Sequence, residues 1–205
     1  MKIKICGLTN KKEAEYLNTN QVDFAGMVLF FPKSKRSITI EQAKEIISAL
    51  NKEIQKVAVV VEPSMEQLRE IEQAGFDYIQ IHGDMPEGII RDTHIPIFKA
   101  FNISDMDRYE EYSKCDRIKA YVFDAQEPGS GKTFSWDMVK DMPRDDKMFI
   151  LAGGLSIENV AEAIKYLKPD GVDISTGVEY DDGTLGKNPD KIRLFAKEVR
   201  GCQNF

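Results

Sequence analysis

The stretch from Phe149 to Glu179, FILAGGLSIENVAEAIKYLKPDGVDISTGVE, constrains this chain more than any other. Met148 to Ala152 has the length and apolar composition of a buried strand, and Gly153-Gly154 breaks it. Ser156 then reads as an N-cap for a helix reaching about Lys168, which Pro169 and Gly171 stop. Gly171 to Ser175 forms a second short strand, ending in Ser175-Thr176-Gly177. Strand, glycine turn, helix, strand, glycine turn is a parallel β-α-β unit. Two glycine turns at the ends of consecutive parallel strands gather free backbone N–H groups, which is how an open helix N-terminus holds a phosphate. Each Gly-Gly pair taken alone also fits a plain tight turn.

The same alternation runs through the whole chain. Strands are expected at Lys2–Cys6, Val22–Phe30, Lys56–Val61, Tyr78–Ile81, Pro96–Ala100, Ala120–Asp124, Met148–Ala152 and Gly171–Ser175. Helices are expected between them, with Gly75 as a C-cap, a poor helix around Met85–Thr93, others at Ser104–Tyr112 and Trp136–Asp141, and a last one at Pro189–Arg200 capped by Asn188. Strands this apolar belong to a parallel sheet covered by helices, and eight such units predict a compact (β/α)8 TIM barrel spanning 1–205 as a single domain. With 205 residues, the loops must be short and a second domain has no room.

Composition narrows the function. The net charge of −6 argues against a nucleic-acid surface, and the absence of a long apolar run argues against a membrane span or leader, so a cytoplasmic enzyme is expected. Cys6, Cys115 and Cys202 are far apart, without a C-x-x-C, and His82 and His94 are too few to supply a metal site. No metal and no cofactor is expected.

In a barrel of this kind the chemistry lies at the C-terminal strand ends, with phosphate held after the last two strands. The residues there are Cys6, Lys33, Lys35 and Arg36, His82, Asp124 and Asp173. Cys6 fits both a small buried hydrophobe and a reactive group left accessible by the following glycine. Asp124, closing the apolar run YVFD, is costly to bury without a partner and favours a functional role. His82 fits a turn-capping histidine equally well, and Arg36 a solvated charge. Gly129 to Thr133, GSGKT, is similar to a nucleotide-binding loop, but the motif's earlier glycine is here Gln126.

With these residues placed, the chain resembles the phosphoribosylanthranilate isomerases of tryptophan biosynthesis from end to end. The resemblance is carried by KICGLT (Lys4–Thr9), AGMVLFFPKSKRSI (Ala25–Ile38), DYIQIHGD (Asp77–Asp84), FDAQEPGSGKTFSW (Phe123–Trp136), ILAGGLSIENVAEAI and GVDISTGVE. It implies a (β/α)8 barrel and a cofactor-free Amadori rearrangement of a phosphorylated aminoaldose. It also implies Asp124 as general acid and Cys6 as general base. Arg36 would hold the anthranilate carboxylate, His82 would line the site and Asp173 would orient groups beneath it. Gly153, Gly154, Ser175, Thr176 and Gly177 would cradle the phosphate.

The sequence departs from the family at Lys35, where proline is usual, at Thr176 for serine, and at Ser135 for aspartate, and Val59–Ser64 matches loosely. Lys35 predicts a more mobile Arg36 loop. Rival phosphate-binding barrels, an epimerase or an indoleglycerol-phosphate synthase, need metal ligands or an inward catalytic lysine early in the chain, and no strand offers an obvious one. A non-catalytic phospholigand sensor would show a damaged Cys6 or Asp124 position. The chain starts and stops at the expected barrel edges, as a separate polypeptide would, and is compatible with a monomer or a homodimer.

Overall fold

The computed structural model describes residues 1–102, 108–124, 136–142 and 144–202. Strands and helices alternate along it as β1 (Lys2–Cys6), α1 (Lys12–Asn18), β2 (Phe24–Leu29), β3 (Ser37–Ile38), α2 (Ile40–Ala49), β4 (Gln55–Val61), α3 (Met65–Ala74) and β5 (Tyr78–His82). They continue as α4 (Glu87–Asp92), β6 (Ile97–Asn102), α5 (Tyr109–Ser113), β7 (Ile118–Asp124), α6 (Asp137–Lys140), β8 (Met148–Leu151), α7 (Val160–Leu167), β9 (Gly171–Ile174) and α8 (Pro189–Gly201). Among the described residues, eight parallel strands close in the order β1-β9-β8-β7-β6-β5-β4-β2, with β2 returning to β1. The expected (β/α)8 barrel is therefore present. The two-residue β3, paired with Val28 and Leu29, is an addition the sequence reading lacks. GSGKT and Ser135 lie outside the described residues.

Because side chains alternate across each strand, the apolar residues divide into two shells. Ile3, Ile5, Ala25, Met27, Ile79 and Ile81 point outward, into one buried layer with helix residues such as Leu17, Ile46, Ile71 and Phe195. Phe24, Val57, Val59, Phe98, Ala100, Val122 and Ile150 point into the barrel. Its lower half is plugged by aromatic rings: Phe24 meets Phe98 edge-on at 5.4 Å and Tyr78 at 5.9 Å, and Tyr78 lies 4.6 Å from Phe98.

Helix boundaries follow local capping. Thr39 and Ser64 each form a reciprocal capping box, with Gln42 and Gln67. Asn188 accepts from the Asp190 and Lys191 amides, as expected. One boundary differs. Ser156 does not cap α7; it opens a turn in which its hydroxyl accepts from the Glu158 amide, and the helix begins after Asn159. Asn159 is occupied instead in bracing the preceding glycine turn, donating to the Gly154 carbonyl at 3.0 Å.

At the N-terminal rim, an aspartate immediately before a strand ties that strand to its neighbour. Asp23 accepts from the Ile3 amide, Asp77 from the Lys56 amide and Asp170 from the Phe149 amide, all within 2.9 Å. Asp23 also binds Lys2 at 2.8 Å and Arg200 at 3.0 Å, joining α8 to the barrel floor.

Candidate active site

The opposite rim encloses a cavity of about 810 Å³. Cys6, Arg36, His82, Asp124, Gly153, Gly154, Asp173, Ser175, Thr176 and Gly177 all line it, so the ten residues singled out in the sequence come together. Cys6 ends β1 and Asp124 ends β7, three positions apart around the ring and facing one mouth. Lys33 and Lys35 stand at its edge.

Gly153 and Gly154 have φ of 77° and 66°, the left-handed region in which a side chain is strained. Across from them Gly177 lies against the other turn: a Cβ there would stand 2.4 Å from the Leu155 carbonyl oxygen. The two glycine turns are thus packed onto each other, presenting backbone rather than side chains to the cavity.

A chain of charged groups locks the second turn to the β2 loop. Arg36 donates through Nε to Glu179 at 2.5 Å and through Nη2 to Thr176 Oγ1 at 2.9 Å. Lys35 pairs with the same carboxylate at 2.8 Å. The buried Lys187 donates to Glu179 at 3.3 Å and to both the Ser175 carbonyl and hydroxyl at 3.1 Å, while Ser175 donates to the Cys6 carbonyl at 2.9 Å. Burial alone would raise the Glu179 pKa, but Arg36, Lys35 and Lys187 bring it down to about 2. Three cations share one carboxylate here, which leaves the turn electropositive. Lys35, where proline is usual in the family, reaches this carboxylate from the cavity edge. The threonine that replaces serine at 176 uses its hydroxyl to hold Arg36.

Beneath Cys6, Lys4 is buried at 1% exposure and donates to Asp173 Oδ2 at 2.7 Å. This corrects one premise of the sequence reading, since Lys4 is an inward lysine early in the chain. It lies a layer below the strand end and is neutralised by Asp173. Burial pushes the Cys6 thiol above its ordinary pKa, against the lowering effect of Lys4. His82 is driven the other way, to about 3, by burial and then by Lys4 and Lys99, so its ring is neutral near pH 7, and its Nε2 sits 3.0 Å from Gln80 Nε2. Gln80 Oε1, Asn102 Oδ1 and Asp173 Oδ1 are buried without a hydrogen-bond partner among the described residues, and all three residues line the cavity.

Lys4, Glu179 and Lys187 are among the site residues the sequence reading missed, as are Gln80 and Asn102 on the cavity wall. For Lys4 a signal existed: on a strand, position 4 shares a face with position 6. For Glu179 and Lys187, which meet only through folding, there was none.

Comparison with known proteins places this geometry. Residues 3–198 match the family model described as N-(5'phosphoribosyl)anthranilate (PRA) isomerase. An N-(5'-phosphoribosyl)anthranilate isomerase of Thermoanaerobacter pseudethanolicus is 40% identical over 99% of this chain and 100% of its own length. The crystal structure of phosphoribosyl anthranilate isomerase from Thermotoga maritima superposes with a TM-score of 0.85 at 33% identity, covering 98% of this chain and 99% of that one. A further such structure, in complex with reduced 1-(o-carboxyphenylamino)-1-deoxyribulose 5-phosphate, gives a TM-score of 0.80 at 31% identity, with coverage of 98% and 99%.

Proposed function

The chain belongs to the N-(5'-phosphoribosyl)anthranilate isomerase family, and from that premise we propose how its side chains divide the work. The reaction, a step of tryptophan biosynthesis, turns the aminoaldose N-(5-phosphoribosyl)anthranilate into 1-(2-carboxyphenylamino)-1-deoxyribulose 5-phosphate. Asp124, protonated, gives its proton to the furanose ring oxygen as the C1–O bond breaks and the anilino nitrogen forms an iminium. Cys6, as thiolate, removes the C2 proton, and the electrons flow to the iminium nitrogen to give an enolamine. Tautomerisation, with a proton gained at C1 and one lost from O2, yields the ketone. Asp124 then regains a proton from solvent while Cys6 releases the one it took, so the cycle is proton-neutral and no redox partner is required.

The residue types suit these steps. A weakly basic ether oxygen needs a carboxylic acid beside it, and a proton α to an iminium is acidic enough for a sulfur base. Arg36 offers the anthranilate carboxylate a planar guanidinium, and the paired glycine turns with Ser175 and Thr176 offer the phosphate backbone N–H groups within an electropositive rim. His82, neutral, lines the ring's side of the cavity. Asp173 orients the groups beneath the substrate. The relative bound to a phosphorylated product analogue supports a phosphorylated ligand here. We also read 1–205 as one barrel domain acting in the cytoplasm, as monomer or homodimer, without nucleic acid. Among the described residues, no helix is long and apolar enough to cross a membrane.

The observation that carries this reading is that Cys6 and Asp124 open into one cavity against the packed glycine turns. The test follows the fluorescence of freshly made phosphoribosylanthranilate with wild type, Cys6→Ser and Asp124→Asn. Turnover lost in each folded variant is expected. A folded wild type that binds the phosphorylated product but never turns over substrate overturns it.

A further inference from the structure

Lysine is seldom buried without a partner, and a buried ion pair stabilises a fold little better than apolar residues of the same shape. The Lys4–Asp173 pair, inside the barrel, is therefore not accounted for by stability. Its setting points elsewhere. Lys4 and Cys6 share the inward face of β1, and Lys4 stands beside Asp173 in register on β9. An ammonium has three protons to donate, and Asp173 accepts one; the Cys6 sulfur lies two residues further along the same face, close enough to favour the charged ammonium.

Gly26 on the adjoining β2 brings the two groups to one place. A Cβ on Gly26 would lie 3.0 Å from both Lys4 Nζ and Cys6 Sγ. A side chain there would crowd both, and each would have to give by a few tenths of an ångström.

Resting on the reading of Cys6 as the base, we propose that Lys4 is a positioning residue that holds the Cys6 sulfur toward the substrate and favours its thiolate form. The charged and titratable groups around this sulfur are few. Lys4 acts from the same strand, Asp173 from β9 and Lys187 from the segment before α8, and His82 faces Lys4 from β5 as a neutral ring. Lys187 already shares its protons between Ser175 and Glu179, whereas Lys4, bonded to Asp173, stands on the same strand face as the sulfur. Asp173 opposes it, with a smaller effect than that of Lys4. When Cys6 takes the C2 proton, the sulfur loses its charge while Lys4 and Asp173 remain a neutral pair, so the site needs no rearrangement between the two protonation states.

Lys4→Met removes the cation, and Lys4→Met with Asp173→Asn removes the pair without leaving a buried charge should the single variant not fold. The readout is the pH dependence of Cys6 alkylation by iodoacetamide, followed on the Cys6 peptide by mass spectrometry with Cys115 and Cys202 as internal references. Lys4→Met is expected to move the Cys6 midpoint upward by about one unit, slowing its alkylation about tenfold near neutrality, and the double variant, which also removes the opposing carboxylate, to move it upward by less. In the same variants kcat is expected to fall far more than KM changes. A Cys6 midpoint unchanged in either folded variant overturns the proposal. Alkylation does not depend on turnover, so an active Cys6→Ser enzyme would defeat the base assignment while leaving the thiol measurement to judge Lys4 separately.

Discussion

At the N-terminal rim of the barrel Asp23, Asp77 and Asp170 each accept the amide of a neighbouring strand, and Asp23 and Asp77 add a lysine bond as well. At the C-terminal rim Asp173 spends one oxygen on Lys4 and leaves the other buried without a hydrogen-bond partner among the described residues, as Asn102 and Gln80 also do on the same cavity wall. Acidic residues of one kind thus do two jobs. Below, they complete the backbone's hydrogen bonding and join strands; above, they are held in place with bonding capacity directed into the cavity. A buried acceptor without a partner costs about 1–3 kcal/mol, so the upper rim gives up stability that the lower rim supplies.

The contrast can be broken by swapping which rim is damaged. Asp124→Asn is expected to reduce kcat by about 10²–10⁴, the usual contribution of a general acid, with the thermal midpoint little altered. A variant that melts early instead would make Asp124 a lower-rim type of aspartate. Asp23→Ala should do the reverse: unfolding titrations in urea should show a loss of about 1–2 kcal/mol, discounted for the partly exposed site, and kcat/KM should stay at its wild-type value.

The third prediction concerns acid. His82 titrates at about 3 in the folded protein and near 6.5 when unfolded, so as pH falls below 6.5 the unfolded chain binds a proton that the folded one refuses. Stability attributable to this site is whole above 6.5 and is lost progressively towards pH 3. His82→Gln should therefore flatten the stability profile in that window by up to ~1.4 kcal/mol per pH unit, the slope of one proton. An unchanged slope would mean that His82 is not held neutral. The smallest effect is expected away from both rims: Thr39→Ala removes the α2 capping box, costing about 1 kcal/mol with no kinetic change, and serves as the reference for damage that belongs to neither end.

Most of the architecture was legible because strand and helix repeat with clean punctuation, and Gly75, Asn188 and the glycines at 153–154 mark their ends by chemistry a sequence exposes. Cys6 and Asp124 could be placed at the mouth because they close apolar strands. What stayed hidden depends on meetings between distant segments. Glu179 looks like an ordinary acid until Arg36, Lys35 and Lys187 arrive from two other parts of the chain. Lys4 looks like the polar half of an alternating strand, KIKIC, and in an antiparallel sheet facing water that would be right; inside a closed barrel the same face is interior. Ser156 has the composition of a cap, yet the three residues that follow it are used to shape the glycine turn first. Aspartate before a strand, as in FDYIQ and PDGVD, was present three times and passed over, since its partner lies on another strand.

The aromatic plug formed by Phe24, Tyr78 and Phe98 makes this barrel a cup, not a tube. Among the described residues these rings fill its floor, so under the proposed mechanism whatever reaches or leaves Cys6 and Asp124 does so from the side of the C-terminal rim, and a bound ligand stands in the way of proton exchange with solvent.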